Sequence, residues 1–514
     1  MTTTAPTRLA ELADLIGVPA DDRASDVAVT GVTLASQEVR PGDLYAALPG
    51  ARTHGINHVD DALARGAVAV LTDETGRLAL APRHPEVPVC VVADPRAVLG
   101  RVADRVYGEP SRELAVIGIT GTNGKTTTAY LVEAGLAAAG HGTGLIGTVA
   151  TRTRVRDADG VLATRTLPSV RTTPEAPALH ALLRGMVDSG VSAVVMEVSS
   201  HALVLGRVEG VRFAAAGFTN LGRDHLDFHA DLEDYFRAKA LLFDGRAAVE
   251  LITVDDDAGR RLAAQRRDAG TVSLTASADW SADGVAATAD GGSTFTVHGP
   301  DGRSWPARIR LPGRFNVANA VLAVALLDAI GVPVEAALTG LADTVVPGRM
   351  EPVDAGQPFV AVVDYAHTPD AVRTALQALR AITAGRLITV LGCGGDRDPG
   401  KRPAMGTAAA QLSDVLVVTD DNPRSEDPAA IRAAVLAGVS GVPEADRAEV
   451  VEVGDRRAAI AAAVRLAGPG DTLLLAGKGH ETGQEIAGTV HPFDDREVLR
   501  EIIGDVCAPQ GTRA

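Results

Sequence analysis

Gly118-Ile119-Thr120-Gly121-Thr122-Asn123-Gly124-Lys125-Thr126-Thr127-Thr128 has the residue types and spacing of a loop that cradles a polyphosphate. The apolar run Leu114 to Ile119 reads as a buried strand that stops in glycines. An amphipathic helix through Tyr130, Leu131 and Leu136 begins near Thr127. Strand, glycine loop and helix in that order aim free backbone N–H groups and the positive end of a helix dipole at one spot. Lys125 is placed to reach the outer phosphates, and the Thr126 hydroxyl to ligate Mg²⁺. The strict pattern G-x-x-x-x-G-K-[ST] asks for glycine at 119, where this chain has Ile119, so the loop is a variant. An ordinary glycine-rich turn before a helix is the alternative reading.

Arginine supplies nearly all the positive charge: of 49 basic residues, only Lys125, Lys239, Lys401 and Lys478 are lysine. A compositional bias towards arginine should spare lysine where an ammonium or an amine is chemically required. All four lysines fall in or beside motifs. Lys239 lies in a helix predicted over Leu232 to Phe243, on the face of Tyr235, Phe236, Leu242 and Phe243. Burial on that face lowers its pKa and exposes a neutral amine able to react with carbon dioxide. A structural lysine that snorkels to solvent is the other reading.

Further polar groups gather where predicted strands end. Val191 to Met196 runs into Glu197-Val198-Ser199-Ser200-His201; an acid at that place, beside a phosphate loop, can hold Mg²⁺ or be a plain loop glutamate. Ala214 to Phe218 leads to Asp224-His225-Leu226-Asp227-Phe228-His229, either a metal or acid–base cluster or solvated loop charge. Asn316 opens a helix predicted over Val317 to Ile330, as a helix cap or as a contact to a nucleotide base. Downstream, the strand Phe359 to Val363 ends in Asp364-Tyr365-Ala366-His367. Leu387 to Leu391 ends in Gly392-Cys393-Gly394-Gly395-Asp396-Arg397. The latter invites a dinucleotide-binding oxidoreductase, but Arg397 stands where the third glycine of G-x-G-x-x-G would allow helix–strand packing. A nucleotide switch without catalysis is a third possibility. Val415 to Val418 and Thr472 to Leu475 feed Asp421-Asn422-Pro423-Arg424 and Gly477-Lys478-Gly479-His480-Glu481.

The elements that must position these groups divide the chain in three. Residues 1–110 read as a small α/β unit, with short strands near Val27, Asp43, Ala67 and Val89. Residues 111–346 alternate strand and helix as a doubly wound, mostly parallel sheet does, with a β-rich elaboration over 271–310; residues 347–514 form a third, Rossmann-like α/β unit. Tyr107-Gly108-Glu109-Pro110-Ser111 and Pro347-Gly348-Arg349-Met350 mark the boundaries. A chain of 514 residues, 46% apolar, has material for several cores, and 3% aromatics means they are built from Ala, Val, Leu and Ile. A net charge of −16 argues against nucleic acid or an anionic membrane as partner. Cys90, Cys393 and Cys507 are too few and scattered for a disulfide framework or zinc site. The few cysteines fit a reducing cytoplasm, no signal peptide or membrane-spanning run is legible, and a monomer without membrane insertion is expected.

Taken together, these motifs resemble the ATP-dependent Mur ligases, which add amino acids to the peptidoglycan precursor in the cytoplasm. The likeness is carried by Thr120 to Thr126, Met196 to His201, Asp224 to His229, Tyr235 to Lys239, Asp364 to His367, Asp421 to Arg424 and Gly477 to Glu481. It implies that Gly121, Thr122, Asn123, Gly124, Lys125, Thr126 and Thr127 hold ATP, with Asn316, Arg349 and Asp364 at the adenine and ribose-phosphate. Thr126, Glu197 and His225 would ligate Mg²⁺, and Lys239 would be carbamylated to support a second Mg²⁺; Lys125, Lys239 and His225 would be catalytic. Ser36, Thr172, Thr173, Ser199 and Arg207 match positions that hold the UDP-N-acetylmuramoyl dipeptide. Arg397, Asp421, Asn422, Pro423, Arg424, Gly477 and Glu481 match the amino-acid pocket, whose Asp-Asn-Pro-Arg loop resembles that of members accepting meso-diaminopimelate, with L-lysine as the alternative acceptor. Two positions depart from the family pattern: Ala35-Ser36-Gln37 replaces Asp-Ser-Arg, and Leu205 stands where glutamine is common.

Overall fold

Side-chain alternation along the strand Ala115–Thr120 fixes the centre of the protein. Ile117 and Ile119 pack on one face against Leu131 and Leu322, while Val116 packs on the other with Val194, Leu183 and Phe213. Each such fully buried aliphatic side chain contributes about 1.5–3 kcal/mol over an exposed one. Gly118 lies between them because a Cβ there would sit 2.7 Å from the Phe213 ring.

The computed structural model describes residues 5–19, 26–50, 53–156, 159–288 and 291–507. Among them, Ala115–Thr120 is flanked in parallel by Ala193–Glu197 and Phe213–Phe218. The parallel array continues outward through Thr143–Ile146 on one side, and through Ala247–Thr253, Gly270–Ser273 and Trp280–Ala287 on the other. Antiparallel strands close both ends, giving an eleven-stranded sheet. The β-rich elaboration expected over 271–310 extends the central sheet: Ser293–His298 and Ser304–Ile309 pair antiparallel onto it. The hairpin Ala150–Arg156 with Leu162–Pro168 at the other end was not legible, because its second strand is exposed throughout and carries no buried stripe.

Two more sheets are built the same way. Gly31–Thr33, Asp43–Ala46, Ala69–Thr72 and Val89–Val91 form a parallel sheet, with Ser36 just past the first strand. In the third, Val360–Asp364, Thr472–Ala476, Leu387–Leu391, Val415–Val418 and Glu449–Glu452 lie side by side in parallel. The strands Leu387–Leu391 and Val415–Val418 have the expected bounds, because short, fully buried and almost wholly apolar runs bounded by Gly392 and Thr419 leave little choice of register. Loops starting at Tyr365, Gly392, Thr419 and Gly477 thus emerge together at one carboxyl edge, where ligands of open α/β sheets bind. No helix among the described residues is long and apolar enough to cross a membrane.

Candidate active site

The phosphate loop is held open by backbone geometry. Gly121 (φ 146°) and Gly124 (φ 87°) occupy conformations that side chains rarely adopt, and a Cβ on Gly121 would lie 1.8 Å from Thr219 Oγ1. Thr219 Oγ1 donates to Asn123 O at 2.6 Å, and Asn220 Oδ1 accepts from Asn123 N at 3.0 Å, so the neighbouring strand end braces the loop. The helix begins at Lys125, and Lys125 Nζ donates to Gly121 O and Thr122 O at 2.8 Å each, within the span its own loop encloses. Gly121→Ala is expected to weaken nucleoside-triphosphate binding by about tenfold or more, because the Cβ would push Thr219 away from the loop; calorimetric titration checks this.

Beside the loop stands a carboxylate without a counter-ion. Glu197 is 1% exposed, and among the described residues no cation pairs with it. Its oxygens accept from Thr126 Oγ1 (3.0 Å), Thr148 N (2.8 Å) and Thr148 Oγ1 (3.1 Å). A buried anion satisfied only by neutral donors, one of them the loop threonine, has the chemistry of one side of a divalent-cation site. Protein groups alone do not complete such a site: no set of three His, Cys, Asp or Glu side chains converges on one point among the described residues.

Lys239 settles between its two readings by burial. It is 1% exposed; its Nζ donates to Gly121 O at 2.7 Å and lies 4.3 Å from the centre of the Tyr235 ring. Burial, reinforced by the nearby Lys125 ammonium, holds its pKa well below the ordinary lysine value. The amine is not snorkelling but buried and biased to its neutral form. Tyr235 Oη also meets Thr122 Oγ1 at 3.4 Å, so the helix Leu232–Ala240 touches the phosphate loop at two points. His225 adopts a left-handed backbone (φ 55°) next to Asp224. Loss of solvation lowers its pKa to about 4, with Asp224 opposing and Lys125 adding to the fall, so the imidazole is neutral and able to ligate. His229 is buried between Ser200 Oγ (2.9 Å) and Asp234 (3.2 Å), which is a structural role.

A cavity of about 410 Å³ joins the central and third sheets, lined by Asn123, Gly124, Asn316, Arg349, Asp364 and His367 among others. Asn316 is not the helix cap that its position suggested. The helix runs Arg314–Ala329 with Gly313 before it, and Asn316 Nδ2 donates to Pro312 O at 2.8 Å from inside the first turn. Arg349 crosses between the sheets: its Nη2 donates to Thr126 Oγ1 at 3.2 Å while the guanidinium lies 4.5 Å from the centre of the Tyr365 ring. Asp364 accepts from Met350 N at 2.7 Å, and burial raises its pKa against the pull of Arg349.

Thr172, Thr173, Ser199 and Arg207 come together on the other flank of Glu197. Thr173 Oγ1 donates to Glu197 O at 2.9 Å and accepts from Ser199 N at 3.1 Å; Arg207 Nη1 donates to Thr173 O at 3.3 Å; Thr172 Oγ1 meets Thr148 Oγ1 at 3.0 Å. Among the described residues Arg207 Nε is buried without a hydrogen-bond partner, and Glu175 pairs with its Nη2 at 2.8 Å. Ser36 opens the short 3-10 turn Ser36–Glu38 after the strand Gly31–Thr33; its hydroxyl meets Gln37 Oε1 at 3.5 Å and hydrogen-bonds the Asp61 carboxylate.

At the third sheet's carboxyl edge, Arg424 has a left-handed backbone (φ 52°) pinned by Arg424 N to Glu485 O (3.0 Å) and Ala487 N to Arg424 O (2.7 Å). Its Nη1 donates to Gly395 O at 2.6 Å, and Glu485 lies 3.3 Å from Nε. Pro423 precedes it, and Gly395 packs so closely that a Cβ there would be 1.9 Å from Pro423 O. Asn422 Nδ2 donates to Glu481 Oε2 at 2.7 Å. Lys478, fully buried, donates to Gly483 O (2.6 Å) and Asn422 Oδ1 (3.0 Å), so the fourth lysine ties these loops together. Among the described residues Asp421 Oδ1 has no hydrogen-bond partner, but Lys478 Nζ lies 3.5 Å from it; burial with Asp421 nearby raises the pKa of Glu481. Gly477 (φ 114°) turns the chain over Asp421, while Arg397 is exposed at the rim.

His480 gives this edge a pH signature. Burial, with Arg349 and Arg496 nearby, lowers its pKa from 6.5 to about 3. The unfolded chain therefore takes up the proton first, and stability falls as pH drops from about 6.5 towards 3. Thermal midpoints measured across that range should fall less steeply for His480→Gln than for the parent chain.

Sequence spacing brought forward most of these groups but missed several. Asn319, three residues beyond Asn316 on the same helix face, lines the cavity and was findable by that spacing. Thr148 and the buried pair Arg456–Asp495 carried no local signal, since only tertiary contact gives them partners.

Comparison with known proteins accords with this geometry. Residues 28–107 match the profile of the Mur ligase family catalytic domain, 119–327 that of the Mur ligase middle domain, and 348–479 that of the Mur ligase glutamate ligase domain. A UDP-N-acetylmuramoyl-L-alanyl-D-glutamate–2,6-diaminopimelate ligase of Streptomyces coelicolor is 54% identical over 97% of this chain and 96% of its own. The protein of the same name from Corynebacterium glutamicum is 49% identical over 94% and 93%. A solved structure of a ligase bearing that name superposes with a TM-score of 0.69 at 30% identity, covering 98% of this chain and 99% of that one. MurF from Acinetobacter baumannii shares the fold at 21% identity and a TM-score of 0.65. The chain belongs to the Mur ligase family, three-domain α/β enzymes that form amide bonds with ATP.

Proposed function

We propose that the protein joins meso-2,6-diaminopimelate to the D-glutamate γ-carboxylate of UDP-N-acetylmuramoyl-L-alanyl-D-glutamate, converting ATP to ADP and phosphate, as a cytoplasmic monomer in peptidoglycan precursor synthesis. The observation that carries this reading is the 54% identity, over nearly the whole chain, to a ligase of that name. Units 1–110, 111–346 and 347–514 would bind the uridine end, ATP and the amino acid in turn.

The reaction proceeds in two transfers. A γ-carboxylate oxygen attacks the γ-phosphorus of ATP, the bond to the ADP oxygen breaks, and an acyl phosphate forms. An amine nitrogen of diaminopimelate then attacks the acyl carbon, phosphate leaves with the C–O bond, and the nitrogen gives up a proton. Both steps gather negative charge, which Lys125 and the loop N–H groups stabilise without reorganising. Asn316 and Asp364 orient the nucleotide, and Arg349 holds Thr126 at the junction of the two sheets. Thr173, Ser199 and Arg207 orient the dipeptide carboxylate. Thr126, Glu197 and His225 would hold one Mg²⁺ and a carbamate on Lys239 would support a second, supplying Lewis-acid stabilisation of the phosphoryl oxygens when bound. The buried Glu197 carboxylate, which accepts from neutral donors, and the buried Lys239 amine, whose pKa burial lowers, support both assignments. Mass spectrometry of the product tests the proposal: a uridine-linked tripeptide carrying one added diaminopimelate supports it, and an unaltered dipeptide refutes it.

A further inference from the structure

Beneath the loops of the third sheet's carboxyl edge lies an ion pair that touches no solvent. Arg456 begins the helix Arg456–Leu466 and Asp495 begins the helix Asp495–Cys507. Both side chains are 0% exposed. The contact is bidentate, Nε to Oδ1 at 2.8 Å and Nη2 to Oδ2 at 2.6 Å. The guanidinium has donors to spare, and they reach two backbone carbonyls: Nη1 to Asp420 O at 3.3 Å and Nη2 to Ala476 O at 3.2 Å.

Those carbonyls lie at a particular place. Asp420 immediately precedes Asp421-Asn422-Pro423-Arg424, and Ala476 immediately precedes Gly477-Lys478-Gly479-His480-Glu481. One planar cation therefore clamps the roots of both loops, and Asp495 fixes the plane of that cation. Only arginine has the fork of donors to do this; a lysine ammonium cannot reach both carbonyls and a carboxylate from one point. Burial of this pair is poor evidence of stabilisation, because replacing both partners by apolar residues is often neutral or better. Its placement suggests geometric control instead.

We propose that Arg456, oriented by Asp495, is a positioning residue for the acceptor amino acid: it sets the spacing of the Arg424 loop against the Glu481 loop without touching the substrate. The proposal rests on reading those two loops as the diaminopimelate pocket. Small displacements of such loops lower productive binding of the acceptor while leaving the ATP and dipeptide contacts, which lie on other elements, in place.

The test uses the full-length enzyme carrying Arg456→Met with Asp495→Leu, a swap that removes both charges together and so leaves no buried unpaired ion. Its thermal midpoint should stay close to that of the parent, and the KM for diaminopimelate should rise at least about tenfold, with the KM values for ATP and the nucleotide-linked dipeptide unchanged. An unchanged acceptor KM in the folded variant, or a parallel rise of all three KM values, would overturn the inference. If the double variant does not fold, Arg456→Lys keeps a positive charge beside Asp495 but loses the double carbonyl clamp, and the same split is expected of it. Parent-enzyme turnover separates the two claims. If the parent uses another amine, the diaminopimelate reading fails, and Arg456 is judged on the KM for that amine.

Discussion

Lys239→Ala is expected to lose about 10²- to 10³-fold or more in kcat and to regain activity on addition of short carboxylic acids such as acetate. The amine is buried, biased to its neutral form, and 2.7 Å from the carbonyl of Gly121. A protonated ammonium at that point would be buried close to Lys125 with no carboxylate paired to it among the described residues, which is why burial and Lys125 lower its pKa. A neutral amine can take up carbon dioxide and present a carbamate, and truncation to alanine removes that group and opens space beside Tyr235. A small carboxylate diffusing into that space would restore the two oxygens. Lys239→Arg should be inactive and refractory to rescue, because a guanidinium neither forms the carbamate nor leaves room. Kinetics with and without acetate decide this, and full activity of Lys239→Ala without additives would remove the metal-supporting role.

Arg424→Ala is expected to lower kcat/KM for meso-diaminopimelate by roughly 10³-fold while leaving the KM for ATP near its parent value. The guanidinium fork matches a carboxylate bidentately, and the distal carboxylate is what diaminopimelate has and lysine lacks. The side chain is already in position: its backbone is pinned in a left-handed conformation by the strand Gly483–Ile486 and its Nη1 rests on Gly395 O. Little ordering cost therefore remains when an acceptor arrives. With L-lysine the guanidinium keeps its contacts to Gly395 O and Glu485 but gains no substrate carboxylate, forgoing about 1.5–3 kcal/mol for each hydrogen bond to that charged group. Competition between the two amines for parent and variant measures this directly: the parent should prefer diaminopimelate strongly, and the variant should lose most of that preference.

How much was legible beforehand follows from what each feature depends on. The phosphate loop, Glu197 and the Asp421–Arg424 loop were visible because strand, loop and chemistry are adjacent in sequence, so an apolar run ending in Gly or an acid announces both element and site. The burial of Lys239 was half visible: helical spacing set it on an aromatic face, but whether its amine reached solvent depended on the phosphate loop packing across from another element. Asn316 falls inside the first turn rather than at the cap, because the strand ends at Ile309 and the helix starts at Arg314, directly after Gly313. Thr148, Arg456 and Asp495 were invisible, since a threonine in a hairpin approach and two charges 39 residues apart acquire meaning only through tertiary contact. The exposed strand Leu162–Pro168 escaped for a related reason: paired through its backbone alone, it leaves no alternating pattern to find.

The reaction proposed for this protein is amine-dependent ATP cleavage directed by the Arg424 pocket. It is tested most directly by measuring phosphate release with ATP, Mg²⁺ and UDP-N-acetylmuramoyl-L-alanyl-D-glutamate across a panel of amines. Rapid release that depends on meso-diaminopimelate and is weak with L-lysine is the predicted result. Release that favours L-lysine, or that proceeds at one rate whatever amine is supplied, would contradict it.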